Sequence, residues 1–163
     1  MKNYQQGFTL IELITVIILL GILSAFAISR FPSSQSYSTN IITNQFIASA
    51  RLAQQTALSR SSVAVSNHAT LNVSGSAGNW DIAVISGSLN YESQVDQGSE
   101  QIRFGTDLSA ACSSLSSAPL TVTFDGDGNR VPAQNLRVCI DSDVDVELCF
   151  SPSGYVYEGS CIP

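Results

Sequence analysis

A stretch of apolar residues near the N-terminus constrains the folding of this 163-residue chain more than any other feature. No ionisable side chain occurs from Leu13 to Ser29, whereas roughly a quarter of the residues of a soluble globular domain are charged. The 24 residues from Phe8 to Phe31 would form a helix roughly 36 Å long, which is enough to cross a bilayer. Because the stretch has no polar stripe, it predicts a membrane-inserted helix rather than a helix of a soluble core.

The rest of the chain is polar and acidic. Charged residues make up only 12% of the sequence, the formal net charge is -6, and the one lysine is Lys2. An apolar content of 44% is too high for a disordered chain, and the absence of a Gly-X-Y repeat excludes a collagen-like one. The length suits one folded domain joined to the N-terminal helix.

A secretory signal peptide is the main alternative for the apolar stretch. Lys2 would be its basic region, Leu13–Leu23 its apolar region, and residues 25–27 read as an A-x-A cleavage site. Glu12 argues against this interpretation, because an acid that enters the membrane costs on the order of 2 to 3 kcal/mol for insertion. Cleavage after residue 27 would remove Glu12 from the mature protein, so nothing would offset this cost.

The string GFTLIEL, Gly7–Leu13, indicates a function for Glu12. It resembles the processing and assembly motif of type IV pilins and type II secretion pseudopilins, in which a polar leader ends in glycine and a glutamate is the fifth residue of the mature chain. The resemblance implies that a prepilin peptidase cleaves between Gly7 and Phe8 and methylates the Phe8 amine. Glu12 would then pair with the Phe8 ammonium of a neighbouring subunit and set the register of filament assembly, since a lone carboxylate in hydrocarbon tends to be paired.

Two segments of the rest of the chain carry a second resemblance. Ala48–Val65 is similar to the end of the first helix and the start of the first strand in H-type minor pseudopilins and related minor pilins, and Leu148–Gly159 is similar to the closing strand pair of that group. Minor pilins of the mannose-sensitive haemagglutinin pilus belong to the same group. The resemblance implies a non-enzymatic structural subunit with no cofactor and no small-molecule substrate. Its partners would be other pilins, the prepilin peptidase and inner-membrane lipid.

This interpretation also predicts where the chain resides. Lys2 favours a cytoplasmic N-terminus, although Arg30 at the far end of the helix weakens the charge bias. The chain would cross the bacterial inner membrane once, with a periplasmic head, and would later join a pilus or pseudopilus. The N-terminal motif is common to pili and secretion systems and does not distinguish them.

The residues after Pro32 predict an α+β head. Apolar side chains at three- and four-residue spacing predict one apolar helix face, formed by Ile42, Phe46, Ala50, Ala53 and Ala57. From Val63 onward, short strand patterns between turn residues predict an antiparallel sheet packed on that helix.

We therefore predict a pilin-like α+β fold with residues 1–7 as leader, 8–31 as transmembrane and filament helix, 32–62 as its amphipathic continuation, and 63–163 as β-rich head. The predicted strands are Val63–Ser66, Ala69–Val73, Trp80–Ser86, Gln101–Phe104, Leu120–Asp125, Leu136–Asp141, Val144–Phe150 and Tyr155–Tyr157. Turns are predicted at residues 75–79, 126–129 and 151–154, and residues 109–119 are predicted to form a loop.

Four cysteines are present, namely Cys112, Cys139, Cys149 and Cys161. Their spacing contains no CxxC pair, so a zinc site is not expected, and an even number suits disulfides in an oxidising compartment. Three pairings are open. A hairpin centred near Val144 would place Cys139 opposite Cys149, which would leave Cys112 to pair with Cys161.

Two acidic segments are candidate calcium sites. Asp125–Asn129 resembles the start of a calcium loop, but Arg130 stands where glycine is needed and Leu136 where a glutamate ligand belongs, so a hairpin turn is predicted. The alternating acids of the second segment predict a solvated strand edge, with a weak calcium site as the alternative. They are Asp141, Asp143, Asp145 and Glu147.

Two other functions are the alternatives to a structural subunit. A DNA-receptor pilin would need a basic patch, for which the mature chain offers Arg30, Arg51, Arg60, Arg103, Arg130 and Arg137. A pilus-tip adhesin would need exposed aromatic residues, for which Trp80 and Tyr91 are candidates, although a lone Trp at the start of a strand more often lies in the core. His68 has no nucleophile motif beside it, which argues against catalysis.

Overall fold

The computed structural model describes residues 8–28, 34–60, 68–141 and 145–162. The chain divides into two compact units, Met1–Ser33 and Ser34–Pro163. Helix α1 of the first unit spans Leu10–Ile28. Two of its polar side chains bond to the helix backbone, because Thr15 Oγ1 donates to the Glu12 carbonyl (2.9 Å) and Ser24 Oγ to the Leu20 carbonyl (2.7 Å). Internal bonding of this kind suits hydroxyls in a helix that is otherwise apolar.

The second unit combines one long helix with two antiparallel sheets. Helix α2 spans Ser34–Ser59. In the described part of this unit the strands are β1 (Ala69–Ser76), β2 (Asn79–Ser86), β3 (Leu89–Asp96), β4 (Gln101–Gly105), β5 (Ser116–Ser117), β6 (Leu120–Phe124), β7 (Arg130–Val131), β8 (Leu136–Asp141), β9 (Val146–Phe150) and β10 (Val156–Glu158). The strand orders are β3-β2-β1-β6-β7 in the first sheet and β10-β9-β8-β4-β5 in the second. The predicted α+β architecture is confirmed.

Helix α2 packs its apolar face into a core that both sheets share. The predicted face is confirmed, since Ile42, Phe46 and the three alanines that follow are at most 1% exposed. The Phe46 ring meets Phe150 of the second sheet edge to face, with centroids 5.9 Å apart, and the ring of Phe124 in the first sheet lies 6.4 Å from the Phe150 ring. Aromatic contacts of this geometry stabilise by about 0.5 to 1.5 kcal/mol beyond the area they bury.

Most predicted strands are confirmed within one or two residues, but sequence analysis missed β3 and the two-residue strands β5 and β7, of which β5 lies in the predicted loop 109–119. The segment Leu89–Asp96 is exposed along most of its length and carries polar residues on both faces. Leu89, Tyr91 and Val95 alternate with polar residues, but Ser93 interrupts the alternation that marks a half-buried strand. It forms a strand because it pairs with β2 along its whole length, from Ser86 opposite Leu89 to Asn79 opposite Asp96. The predicted strand Val63–Ser66 lies outside the described residues.

Two predicted turns meet each other and the helix. Gln54 of α2 donates through Nε2 to the carbonyls of Gly128 and Ser153, each at 3.0 Å. Gly154 has φ +79°, and a Cβ added there would overlap the Gly128 carbonyl. Glycine is thus required at this position by both backbone conformation and space.

Replacing Gly154 with alanine should destabilise the head by more than about 2 kcal/mol, because backbone strain and a fixed carbonyl act together. The matched control is Gly78→Ala, since Gly78 has a similar φ of +84° and open space around the missing Cβ. That variant should lose only about 1 to 2 kcal/mol. Thermal unfolding of both variants measures the difference, and equal losses would contradict the proposed overlap.

Candidate functional site

The first turn of α1 holds the carboxylate predicted for filament assembly. Thr9 precedes the helix and Glu12 lies three residues later, which is the arrangement of a capping box. The backbone N–H of Glu12 donates to Thr9 Oγ1 (3.3 Å), and Thr9 donates to Glu12 Oε2 from its backbone N–H (3.2 Å) and its hydroxyl (3.1 Å). Sequence analysis missed Thr9, although the T-x-x-E spacing before an apolar run would have indicated it.

The capped carboxylate stays open to a further partner. Glu12 is exposed, and its Oε1 accepts no hydrogen bond from the described residues. Phe8, the predicted mature N-terminus, is 85% exposed. Gly7 lies outside the described residues, so cleavage between Gly7 and Phe8 stays a prediction. The geometry leaves one carboxylate oxygen of Glu12 available to a cationic group that approaches from another molecule.

The apolar side chains of α1 are not buried within their own unit. Each large apolar side chain from Leu10 to Leu23 is at least 41% exposed. A continuous apolar surface of this kind marks a site of contact with protein or lipid. Among the residues that the structure describes, no helix combines the length and the apolarity required of a membrane span.

The four cysteines form two disulfides, but not in the expected pairs. Cys112 is bonded to Cys139 and Cys149 to Cys161, with Cα atoms 5.9 Å and 5.1 Å apart. The expected pairing of Cys139 with Cys149 is wrong because of strand register. In the hairpin of β8 and β9, Cys139 lies opposite Glu147 and Cys149 opposite Arg137, so the two cysteines are diagonal neighbours and each bonds to a segment outside the hairpin.

The first disulfide fastens a loop over the outer face of the second sheet. The loop between β4 and β5 carries Cys112, and its backbone carbonyls accept hydrogen bonds from two arginines beneath it. Arg103 Nη1 donates to the Ser113 carbonyl (3.2 Å), and Arg137 Nη1 donates to the Ala110 carbonyl. Because these contacts cover the sheet, Cys139 is buried even though it points away from the main core.

Charge contacts anchor the same face. Arg137 Nε lies 2.7 Å from Glu147 Oε1, and both side chains are partly buried.

Asp107 lies in the loop after β4 and is exposed. Hydrogen bonds from the Ser109 hydroxyl (2.7 Å) and backbone N–H (2.9 Å) lower the pKa of Asp107. These hydrogen bonds favour the ionised carboxylate of Asp107. Their small contribution to the stability of the head is therefore present at neutral pH and is lost as the pH falls through the lowered pKa.

The second disulfide fastens the C-terminal tail. Besides the bond from Cys149 to Cys161, the backbone N–H of Ile162 donates to the Tyr157 hydroxyl (3.2 Å) and Asn135 Nδ2 donates to the Ile162 carbonyl (3.0 Å). The tail is thus held by one covalent bond and by several hydrogen bonds, which also include one from the Ser160 hydroxyl to Glu147 Oε2 (3.3 Å).

Neither acidic segment forms a cluster of metal ligands among the described residues. Asp125 Oδ1 accepts the backbone N–H groups of Asp127 (3.0 Å) and Asn129 (2.8 Å), which makes residues 125–129 the predicted hairpin turn. In the second segment, Asp141 lies 3.9 Å from Arg103 and Glu147 pairs with Arg137. Asp143 lies outside the described residues.

Three of the described arginines form contacts within the head, whereas Arg51 is exposed on α2. Arg103 and Arg137 hold the disulfide loop, and Arg130 is buried where its Nη1 donates to the carbonyls of Pro132 (2.9 Å) and Gln134 (2.6 Å). Burial lowers the pKa of Arg130. Trp80 is 4% exposed, so its predicted place in the core is confirmed, whereas Tyr91 is 47% exposed. His68 is half-buried just before β1.

Glu100 is a buried acid that sequence analysis did not single out. Its side chain is 0% exposed, and Oε1 accepts hydrogen bonds from the Ser38 hydroxyl and from Thr39 Oγ1 (3.3 Å). These bonds join the segment after β3 to the first part of α2. A glutamate in a short polar segment gives no sequence signal for burial of this kind.

The arrangement of α2 under antiparallel sheets, with a separate apolar helix whose first turn exposes a carboxylate, defines a pilin-like subunit. Comparison with solved structures agrees on the fold. The chain is similar to the Pseudomonas aeruginosa (strain PAO1) type IV minor pilin FimU, with a TM-score of 0.54 and 13% identity over 78% of this chain and 92% of that one. A second crystal form of FimU gives a TM-score of 0.49 and 15% identity, covering 76% and 91%.

The family assignment comes from sequence profiles. The family described as type II transport protein GspH matches residues 43–154, and the prokaryotic N-terminal methylation motif matches residues 2–28. The chain belongs to the GspH family, and this match together with the methylation motif places it in the pilin and pseudopilin class. A comparison with curated proteins gave no significant match.

Removing the disulfides should destabilise the head to different degrees. The separations of 27 and 12 residues correspond to about 3.5 kcal/mol for Cys112–Cys139 and about 2.8 kcal/mol for Cys149–Cys161 in the chain-entropy model. The first double variant, with both cysteines replaced by serine, should lose more because it also frees the loop over Arg103 and Arg137. Denaturant unfolding of the detergent-solubilised chain measures both losses, and a larger loss from the C-terminal pair would contradict this order.

Proposed function

We propose that this protein is inserted once in the bacterial inner membrane, with a cytoplasmic N-terminus and a periplasmic head, and that it then joins or primes a type IV pilus or a type II secretion pseudopilus. Prepilin peptidase would cleave between Gly7 and Phe8 and methylate Phe8. The observation that carries the proposal is the exposed Glu12 carboxylate at the fifth mature position, inside a segment that matches the methylation motif.

Assembly would use two properties of α1. Its exposed apolar side chains would pack on other pilins or on lipid. This packing would supply most of the association energy, but it would not fix the relative position of the subunits. Glu12 adds direction, because its open Oε1 would pair with the Phe8 ammonium of a neighbouring subunit in surroundings that penalise an unpaired charge. Thr9 would hold the carboxylate in place through the capping box until the partner arrives.

A structural role fits the described head better than the two alternatives. Arg103, Arg130 and Arg137 are engaged with acids or carbonyls of the head itself, so they contribute little to a basic patch for DNA. Trp80 is buried and does not offer a sugar platform. A minor pilin or pseudopilin therefore stands as the proposed function, and its likeness to the mannose-sensitive haemagglutinin group stays a prediction.

The mature N-terminus tests the processing step. Mass spectrometry of the protein from cells with prepilin peptidase should give a chain that begins with methylated Phe8, and deletion of the peptidase should leave residues 1–7 attached. A mature chain that begins at Ile28 would instead identify an ordinary signal peptide and overturn the proposal.

Replacing Glu12 with alanine should leave cleavage intact and reduce incorporation into sheared filaments at least tenfold, because the ammonium of the neighbour loses its partner. Thr15→Ala is the control, since Thr15 bonds only to the Glu12 backbone carbonyl and its loss should leave incorporation near the wild-type level. Immunoblots of filament and membrane fractions report both effects. Normal incorporation of the Glu12 variant would show that this carboxylate does not direct assembly.

A further inference from the structure

Strand β3 forms a long edge that no described residue covers. It ends the first sheet and pairs with β2 alone. The other terminal strands of the described sheets are much shorter, with two residues in β7, two in β5 and three in β10, against eight in β3. Proteins usually protect such an edge with lysine, proline, a bulge or a short strand. β3 contains no lysine or proline, and its unbroken register with β2 shows no bulge, so its two acids, Glu92 and Asp96, are its only charged residues.

The turn that starts β3 fixes which backbone groups face outward. Gly87 and Ser88 form a two-residue turn, so Ser86 and Leu89 are a hydrogen-bonded pair. Because such pairs alternate along an antiparallel ladder, the backbone groups of Tyr91 and Ser93 point to β2. The N–H and C=O groups of Asn90, Glu92 and Gln94 point away from the sheet. This edge thus offers a row of alternating donors and acceptors for one more strand.

A groove beside this edge would receive alternate side chains of an added strand. It lies between α2 and β3, has a volume of about 440 Å³, and is lined in part by Ile41, Tyr91 and Val95. Ile41 is 41% exposed and Tyr91 47% exposed. Leu89, on the same face of β3 as Tyr91, is exposed to the same degree as Ile41. Side chains of a neighbouring strand that point to this face would bury these apolar surfaces.

The charge of β3 disfavours a second copy of this chain as the added strand. Antiparallel pairing of two β3 edges through their outward groups places Glu92 and Asp96 of both chains on one face of the joined sheet. Like charges gathered on one face repel each other, and each chain carries a net charge of -6. A strand with lysine or arginine opposite Glu92 would instead form a favourable cross-strand pair.

We propose that the free edge of β3 binds an extended strand from a different pilin-class subunit, with apolar side chains in the groove between α2 and β3 and a basic side chain opposite Glu92. The proposal rests on the proposed function, because a filament supplies other subunits as neighbours. It adds a directional contact between heads to the non-directional packing of α1.

A photo-crosslinking residue in place of Gln94, in the full-length protein in cells, tests the proposal. The outward position of Gln94 should yield an adduct with another pilin-class subunit, and peptide mass spectrometry should place the crosslink on an extended segment of the partner. The same residue in place of Tyr157 on β10 is the control site and should give at least tenfold less adduct. An adduct only with a second copy, or with a protein outside the pilin class, would overturn the proposal.

Charge variants examine the basic partner residue. In the crosslinking protein, Glu92→Lys should reduce the adduct at least tenfold and Glu92→Gln about threefold. Asp127→Lys, which makes the same charge change in an exposed turn, should leave the adduct unchanged. Both disulfides should form in every variant if the head folds normally. Equal adduct yields across the three variants would overturn the predicted charge pairing.

Filament incorporation separates the two proposals. If the Gln94 variant carries methylated Phe8 and enters filaments but forms no adduct, the β3 proposal fails and the proposed function stands. If wild-type protein is neither methylated nor found in filaments, the proposed function fails, whatever the crosslinks show.

Discussion

The packing of α2 against both sheets is the contact on which the rest of the head depends. Phe46 meets Phe150 edge to face, and three alanines on the next turns allow the strands to approach the helix closely. This core buries only one face of each sheet. The outer face of each sheet is therefore either covered by another segment of the chain or exposed to water. The second sheet gains its cover from two disulfide-bonded segments, whereas the outer face of the first sheet is polar.

Charged side chains are also divided between the inside and the outside of the described head. Arg103 and Arg137 bind carbonyls and acids under the disulfide loop, and Arg130 binds carbonyls next to β7. These contacts join separate segments of a head that has few apolar side chains on its outer side. The acids outnumber the arginines and remain largely on the surface, so the head presents an acidic exterior in which β3 is the one long open edge of the described sheets.

Much of the fold could be predicted because its signals are local. The spacing of Ile42 and Phe46 predicts the buried helix face, and glycine-rich segments predict the turns at residues 126–129 and 151–154. β3 was missed because Ser93 interrupts the alternation of its apolar and polar residues, so the strand is evident only from its pairing with β2. The burial of Glu100 was missed for a similar reason, since it depends on hydroxyls of α2 that are distant in sequence.

The sequence by itself determined the motif around Gly7, Phe8 and Glu12, the apolar α1 and the α+β class, because short-range spacing encodes each of them. Only the tertiary structure decided the disulfide partners and the open edge. A difference of two residues in the pairing of β8 with β9 placed Glu147, and not Cys149, opposite Cys139. Strand register and sheet order join residues far apart in the chain, so no local pattern specifies them.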